Sequence, residues 1–192
     1  SLHSKLVLRT TLNLIIFGSF GFLITESLLN GQFFDDLNFV ERILASLFET
    51  VSARTAGFTN YSISLNTISD TGILLLMTLM FIGASPGGTG GGIKTTTFIA
   101  LMAATRSTLR GQKDVIISNR LISDKVILKA VGITVGSLLF VLLMAMLLST
   151  TNTFINKEKF TFLEMLFTCI SAFATVGFDI GLTIKLNHFG QF

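Results

Sequence analysis

The chain has 192 residues, half of them hydrophobic and 13% charged, with a formal net charge of +3 and a mean hydropathy of +0.73. A soluble domain carries about a quarter charged residues, so this composition points to lipid as the main solvent. The single cysteine, Cys169, excludes an intramolecular disulfide or a cysteine metal cluster, and no basic, aromatic-interleaved surface supports nucleic-acid binding.

Lys5 and Arg9 precede the first apolar segment, Thr11 to Leu29, which is uncharged until Glu26. Its length and flanks do not fit a signal peptide. A polar stretch, Asn30 to Asn38, carries Asp35 and Asp36. Phe39 to Asn60 has helical periodicity in its first half but is too short and too charged to span a bilayer. From Asp70 to about Ala104 the chain is apolar at both ends and interrupted by glycines; Asp70, after Ser69, reads as a helix cap. Thr105 to Lys125 holds Arg106, Arg110, Lys113, Arg120 and Lys125 against Asp114 and Asp124. Ala130 to Leu148 is uncharged and close to the roughly 20 residues that cross a bilayer as a helix. Ser149 to Lys159 reads as a polar turn, and Phe160 to Asp179 as a second short amphipathic segment. The positive-inside rule places the basic linker and the N-terminus in the cytoplasm and both polar turns outside, with Lys157 and Lys159 running against it.

The stretch GASPGGTGGGIKTTT, Gly83 to Thr97, has the composition of a phosphate-binding loop. That motif needs glycine and lysine side by side, after a strand. Here Ile93 separates Gly92 from Lys94, and the preceding Thr71 to Ala84 is rich in helix-favouring leucine and methionine. A nucleotide site is set aside. The glycines instead fit a break in a membrane helix, with Lys94 as a cation that helps close a path or pairs with another group.

A weak internal repeat runs through the chain: long apolar helix, polar turn, short helix, then a small motif. The motifs are FETVSARTAGFT, Phe48 to Thr59, and FTCISAFATVGFD, Phe167 to Asp179, the second one residue longer between Ser-Ala and Thr-x-Gly-Phe. Such symmetry is common in membrane proteins with a site at the repeat interface. A short helix followed by a glycine-containing segment is either a surface-lying helix and loop or a re-entrant loop whose carbonyls replace a cation's hydration shell. The residues alone leave both open. No clustered His, Cys or Asp suggests an enzyme site; His3 and His188 lie near opposite ends.

SARTAGFTN (Ser52 to Asn60), SPGGTGGGIKTTT (Ser85 to Thr97) and SAFATVGFD (Ser171 to Asp179), in that order and spacing, resemble the second half of a Trk/Ktr-type potassium-uptake protein, a group that includes NtpJ-like sodium/potassium transporter subunits. The resemblance implies an all-α polytopic membrane protein of repeated helix–re-entrant pore loop–helix units, the potassium-channel-like ion transporter fold. Residues 1–110 correspond to the third repeat with a broken second helix, 111–124 to a cytoplasmic linker, and 125–192 to the fourth repeat without its final helix. The chain is then a fragment with two of four filter segments. The metal-coordinating positions are Thr55, Ala56, Gly57 and Phe58 in one segment and Thr175, Val176, Gly177 and Phe178 in the other. Gly83 to Lys94 corresponds to an intramembrane gate below the filter.

The implied activity is potassium uptake across the cell membrane, with sodium as a candidate co-ion. A coupled alternating-access carrier and a non-conducting structural subunit are the alternatives. No catalysis and no cofactor are expected in this chain; potassium or sodium is the transported ion. The implied partners are a second full-length subunit, a peripheral cytoplasmic nucleotide-binding ring and membrane lipid, with no nucleic acid. The implied location is a bacterial inner (plasma) membrane, crossed several times. Asp179 is expected to gather cations or cap a turn, and Glu49 and Arg54 to make structural contacts behind the filter.

Overall fold

The computed structural model describes residues 2–29, 32–59, 67–112, 114–117, 120–155 and 161–180. Asn60, Lys113, Lys157, Lys159 and His188 lie outside them. In chain order the elements are α1 (Leu2–Leu28), a 3-10 turn (Gln32–Phe34), α2 (Phe39–Ser52), α3 (Asp70–Phe81), α4 (Thr95–Leu109), β1 (Ile116–Ile117), β2 (Arg120–Leu121), α5 (Asp124–Ile155) and α6 (Phe162–Phe173). Among the described residues two helices are long and apolar enough to cross a membrane, over Ser4–Leu28 and Asp124–Thr150.

The long helices overrun their apolar cores. α1 begins at Leu2, well before the apolar run, and α5 continues through Ile155 where a polar turn from Ser149 was expected. Threonine tolerates this by bonding back to its own helix: the Thr150 hydroxyl donates to the Leu147 carbonyl at 2.8 Å. A second departure from the expected all-helical architecture lies in the basic linker. Ile116 pairs with Leu121 and Ile117 with Arg120 in a two-stranded antiparallel ribbon, because β-branched isoleucines favour extended backbone there.

The two short helices start alike. Glu41 reaches back to the Asn38 backbone N–H at 2.8 Å, and Glu164 to the Thr161 N–H at 2.7 Å. Each carboxylate satisfies an orphan donor at a helix start and suits the positive end of the helix dipole. α2 buries an unusual face: Ala45, Ser46, Glu49, Thr50 and Ser52 are inside, while Val40, Leu44, Leu47 and Val51 are exposed. A water-soluble helix would be arranged the other way. In lipid the polar face turns inward, where protein groups can meet it.

α1 packs along α2, α3 and α4, α5 lies against α4 and α6, and α3 touches α6. The close approach to α1 depends on Gly18, where a Cβ would sit 2.5 Å from Thr50 Cγ2 and 2.9 Å from Leu79 Cδ1. Small residues at crossings are how helices pack tightly where lipid removes the hydrophobic drive. One end of the core is aromatic: Phe22 meets Phe33 edge-on at 5.4 Å and Phe34 at 6.3 Å. Nearby, the buried Glu26 of α1 accepts from the Ser69 hydroxyl at 2.6 Å and from its N–H at 3.2 Å. Ser69, rather than Asp70, is the N-cap of α3, its hydroxyl accepting from the Gly72 N–H at 3.1 Å. One carboxylate thereby fixes where α3 begins relative to α1.

Candidate functional site

α2 and α6 each end at a short non-helical segment, residues 53–59 and 174–180. Thr55 has φ +78° and Gly57 +72°; Thr175 has φ +54° and Gly177 +87°. Ala56 and Val176 between them keep negative φ. Among the described residues these threonines alone adopt positive φ without being glycine. For a β-branched residue that conformation is a true outlier, costing of the order of 1–3 kcal/mol, and such strain collects at functional sites. Alternating backbone handedness turns successive carbonyls toward one side, which a carbonyl cage for a cation requires.

Two serines hold the segments in this shape. The Ser171 hydroxyl donates to the Phe178 carbonyl at 2.8 Å, and the Ser52 hydroxyl donates to the Phe58 carbonyl. The N–H groups of Ala56 and Gly57 donate to the Ser52 carbonyl at 3.0 and 3.1 Å, and that of Val176 to the Ser171 carbonyl at 3.0 Å. The extra residue of the second motif is absorbed at the end of α6, which continues past its serine to Phe173, whereas α2 stops at Ser52.

The segments meet. A Cβ on Gly57 would lie 1.8 Å from the Val176 carbonyl oxygen and 3.6 Å from Gly177 Cα. Six of the eight expected positions, Thr55 to Gly57 and Thr175 to Gly177, therefore belong to one locus. The two phenylalanine rings differ: Phe178 is buried and stacks on Phe167 at 6.5 Å, whereas Phe58 is 72% exposed. Asp179 is exposed at the end of its segment.

The glycine-rich stretch between α3 and α4 lies against both segments. The Gly91 N–H donates to the Thr175 hydroxyl at 2.8 Å, and a Cβ on Gly90 would stand 2.9 Å from Thr55 Cγ2. Gly91 also presses on the end of α6, where a Cβ would meet the Phe173 carbonyl oxygen at 2.5 Å. The stretch closes on itself: the Ile93 N–H donates to the Phe81 carbonyl at 2.9 Å. Lys94 donates to the Gly90 and Gly88 carbonyls at 2.5 and 3.3 Å. The ammonium thus staples its own loop instead of reaching a nucleotide or a distant partner. Arg54, next to Thr55, donates to the Gly83 carbonyl at 3.1 Å and the Thr11 carbonyl at 3.5 Å. Glu49 is fully buried on α2.

The serine anchors and the Lys94 staple were not assigned from sequence; Arg54 was expected to make structural contacts, without a named partner. The serines were visible as the Ser-Ala that opens both motifs, and the capping glutamates as Asn-x-x-Glu and Thr-x-x-Glu. The Arg54 and Gly91 bonds carry no local signal.

Residues 2–192 match the family described as TrkH, cation transport protein. The chain belongs to the TrkH family. It is 37% identical over its whole length to the Ktr system potassium uptake protein B of Bacillus subtilis, and 36% identical to the potassium/sodium uptake protein NtpJ of Enterococcus hirae. It is 34% identical to the Ktr system potassium uptake protein B of Vibrio alginolyticus. The chain spans about 40% of the length of these relatives, 41%, 41% and 40% respectively. Membership in a cation-transport family agrees with the two membrane-capable helices.

Proposed function

We propose that the chain forms part of a potassium-conducting path in a bacterial plasma membrane, with backbone carbonyls of residues 55–58 and 175–178 as ligands. The observation that carries this reading is the matched conformation of the two segments, left-handed at threonine and glycine in both, meeting at Gly57 and Val176. The C-terminal ends of α2 and α6 add to it. Each points its partial negative charge at the segment that follows, which favours a cation there. Carbonyl ligands exchange for water at little cost, so an ion enters dehydrated and leaves again with no chemical step. The relatives, potassium and potassium/sodium uptake proteins, favour potassium, with sodium as second candidate or co-ion.

On this reading residues 1–110 form one helix–re-entrant loop–helix unit with a broken second helix, 111–124 a cytoplasmic linker, and 125–192 the start of the next unit. Residues 83–94 act as a gate: the loop sits directly against both filter threonines, where it obstructs passage until Gly90 and Gly91 move away. Arg54 ties one filter segment to the start of the loop, so the two do not move independently. A second full-length subunit, a nucleotide-binding cytoplasmic ring and lipid are the proposed partners. A carrier with alternating access would need the site to close on each side in turn, and the compact carbonyl arrangement favours a filter with a gate.

Potassium uptake by the full-length protein into potassium-starved cells tests the reading. Shortening Gly87–Gly92 should raise uptake in the resting state if the loop is a gate. A fall in proportion to the amount of folded protein would make the loop scaffold and refute gating.

A further inference from the structure

Starting about one turn along α4 from the glycine loop, a cavity of about 790 Å³ runs between α1, α4 and β1. Its lining is graded along α4. Phe98, Ile99 and Met102, with Phe17 of α1, are apolar; Arg106 and Arg110 line it at the C-terminal end of α4, where the basic linker begins. Arg106 lies in the last turn of α4 and Arg110 is its C-cap four residues on, and both line the cavity. Among the described residues neither has an ion-pair partner. Ser107, between them, is buried and donates to the Asp114 carbonyl at 2.9 Å and the Gln112 carbonyl at 3.3 Å. That bond fixes the turn after α4 and holds β1 over the cavity.

An apolar chamber with two unpaired cations at its mouth fits an amphiphile with a negatively charged head. We propose that this cavity binds an anionic phospholipid of the cytoplasmic leaflet, its phosphate between Arg106 and Arg110 and an acyl chain along Phe17, Phe98 and Met102. The position suits such a ligand: the arginines lie on the side assigned to the cytoplasm, at the headgroup level, and the aromatic and methionine side chains lie deeper. Arginine presents a planar fork that meets phosphate oxygens two at a time. A free phosphate would use the arginines and leave the chamber empty. A docked protein segment would need no anionic lipid. The proposal rests on the membrane orientation stated above, not on the filter assignment.

Native mass spectrometry of the full-length protein in detergent, titrated with phosphatidylglycerol or phosphatidylcholine of matched chains, tests it. One basic residue beside an anionic headgroup is worth about fivefold in affinity, so R106Q/R110Q should weaken phosphatidylglycerol binding about thirtyfold. Phosphatidylcholine should change little. A K125Q/K129Q control on α5, outside the cavity, should leave both lipids within about twofold of the parent. Ala103→Trp, which fills the chamber without altering charge, should weaken both, and excess inorganic phosphate should not displace phosphatidylglycerol. Phosphatidylglycerol binding unchanged in R106Q/R110Q, or lost equally in K125Q/K129Q, overturns the site. Displacement by phosphate alone overturns the lipid in favour of a free anion. If R106Q/R110Q proves misfolded by thermal unfolding, R106Q and R110Q are read singly: phosphatidylglycerol binding about fivefold weaker in each supports the site, and binding unchanged in both folded variants refutes it. None of these readouts uses ion flux, so failure here is distinct from failure of the transport reading.

Discussion

Gly57 and Gly177 occupy equivalent positions in the two motifs, yet alanine should act differently at each. Both backbones are left-handed, φ +72° and +87°, so a side chain costs about 1–2 kcal/mol at either position. At Gly177 nothing stands within 4 Å of the new Cβ, and strain is the whole effect. At Gly57 the new Cβ would lie 1.8 Å from the Val176 carbonyl oxygen, while ordinary contact begins at 3.4 Å. One segment must retreat by about 1.6 Å, the difference between those distances. The obstacle is backbone, so no rotamer change relieves it. On the proposed filter reading, the shift would displace the Val176 carbonyl and lower selectivity before it lowered stability. Potassium uptake in potassium-starved cells, with sodium as competitor, reads the first effect; thermal unfolding of purified protein reads the second. Gly177→Ala should lower stability by about 1–2 kcal/mol and keep most of the potassium preference. Gly57→Ala should lose that preference while folded protein still accumulates. Wild-type preference in Gly57→Ala, or greater damage from Gly177→Ala, refutes the reasoning.

Thr175→Val keeps the side-chain shape but removes the acceptor of the Gly91 N–H; at about 1 kcal/mol for the bond, resting-state uptake should rise about fivefold. Lys94→Gln should loosen the loop, since the ammonium bonds to Gly88 and Gly90, and protease or hydrogen-exchange protection of residues 83–94 should fall while that of α1 stays. Glu26→Ala removes the acceptor of the half-buried Ser69 N–H and hydroxyl and should cost about 1–3 kcal/mol by chemical denaturation, whereas Glu26→Gln should recover part of the loss. Ser171→Ala removes the anchor on the Phe178 carbonyl; it should weaken apparent potassium affinity with little change in stability, as measured by uptake at varied external potassium.

Much of the architecture was legible because its signals are local. An uncharged run such as Ala130 to Leu148 announces its own helix, and Thr-x-Gly-Phe twice after a short helix marks two comparable segments. The polar turn expected at Ser149 failed because the helix continues there, with the Thr150 hydroxyl bonding back to the Leu147 carbonyl. The ribbon at Ile116–Leu121 was hidden by its charges, which read only as a solvated linker. The site's wiring lies furthest from sequence. Arg54 to Gly83 crosses 29 residues and Gly91 to Thr175 crosses 84, and no periodicity encodes a bond of that range. Lys94 was expected to help close a path or pair with another group; its partners, the Gly88 and Gly90 carbonyls of its own loop, had no signal in the sequence.

The serine at the foot of each segment has a consequence for how such a site changes over time. Each hydroxyl measures from the helix to the carbonyl of the phenylalanine and ignores the number of residues between: six positions separate Ser52 from Phe58, seven separate Ser171 from Phe178. The fixed quantity is a distance in space rather than a count along the chain. An insertion or deletion beside a short helix can therefore be taken up in the helix end without moving the phenylalanine carbonyl. The two segments could then drift in length and in outer packing while their left-handed geometry at threonine and glycine stayed the same.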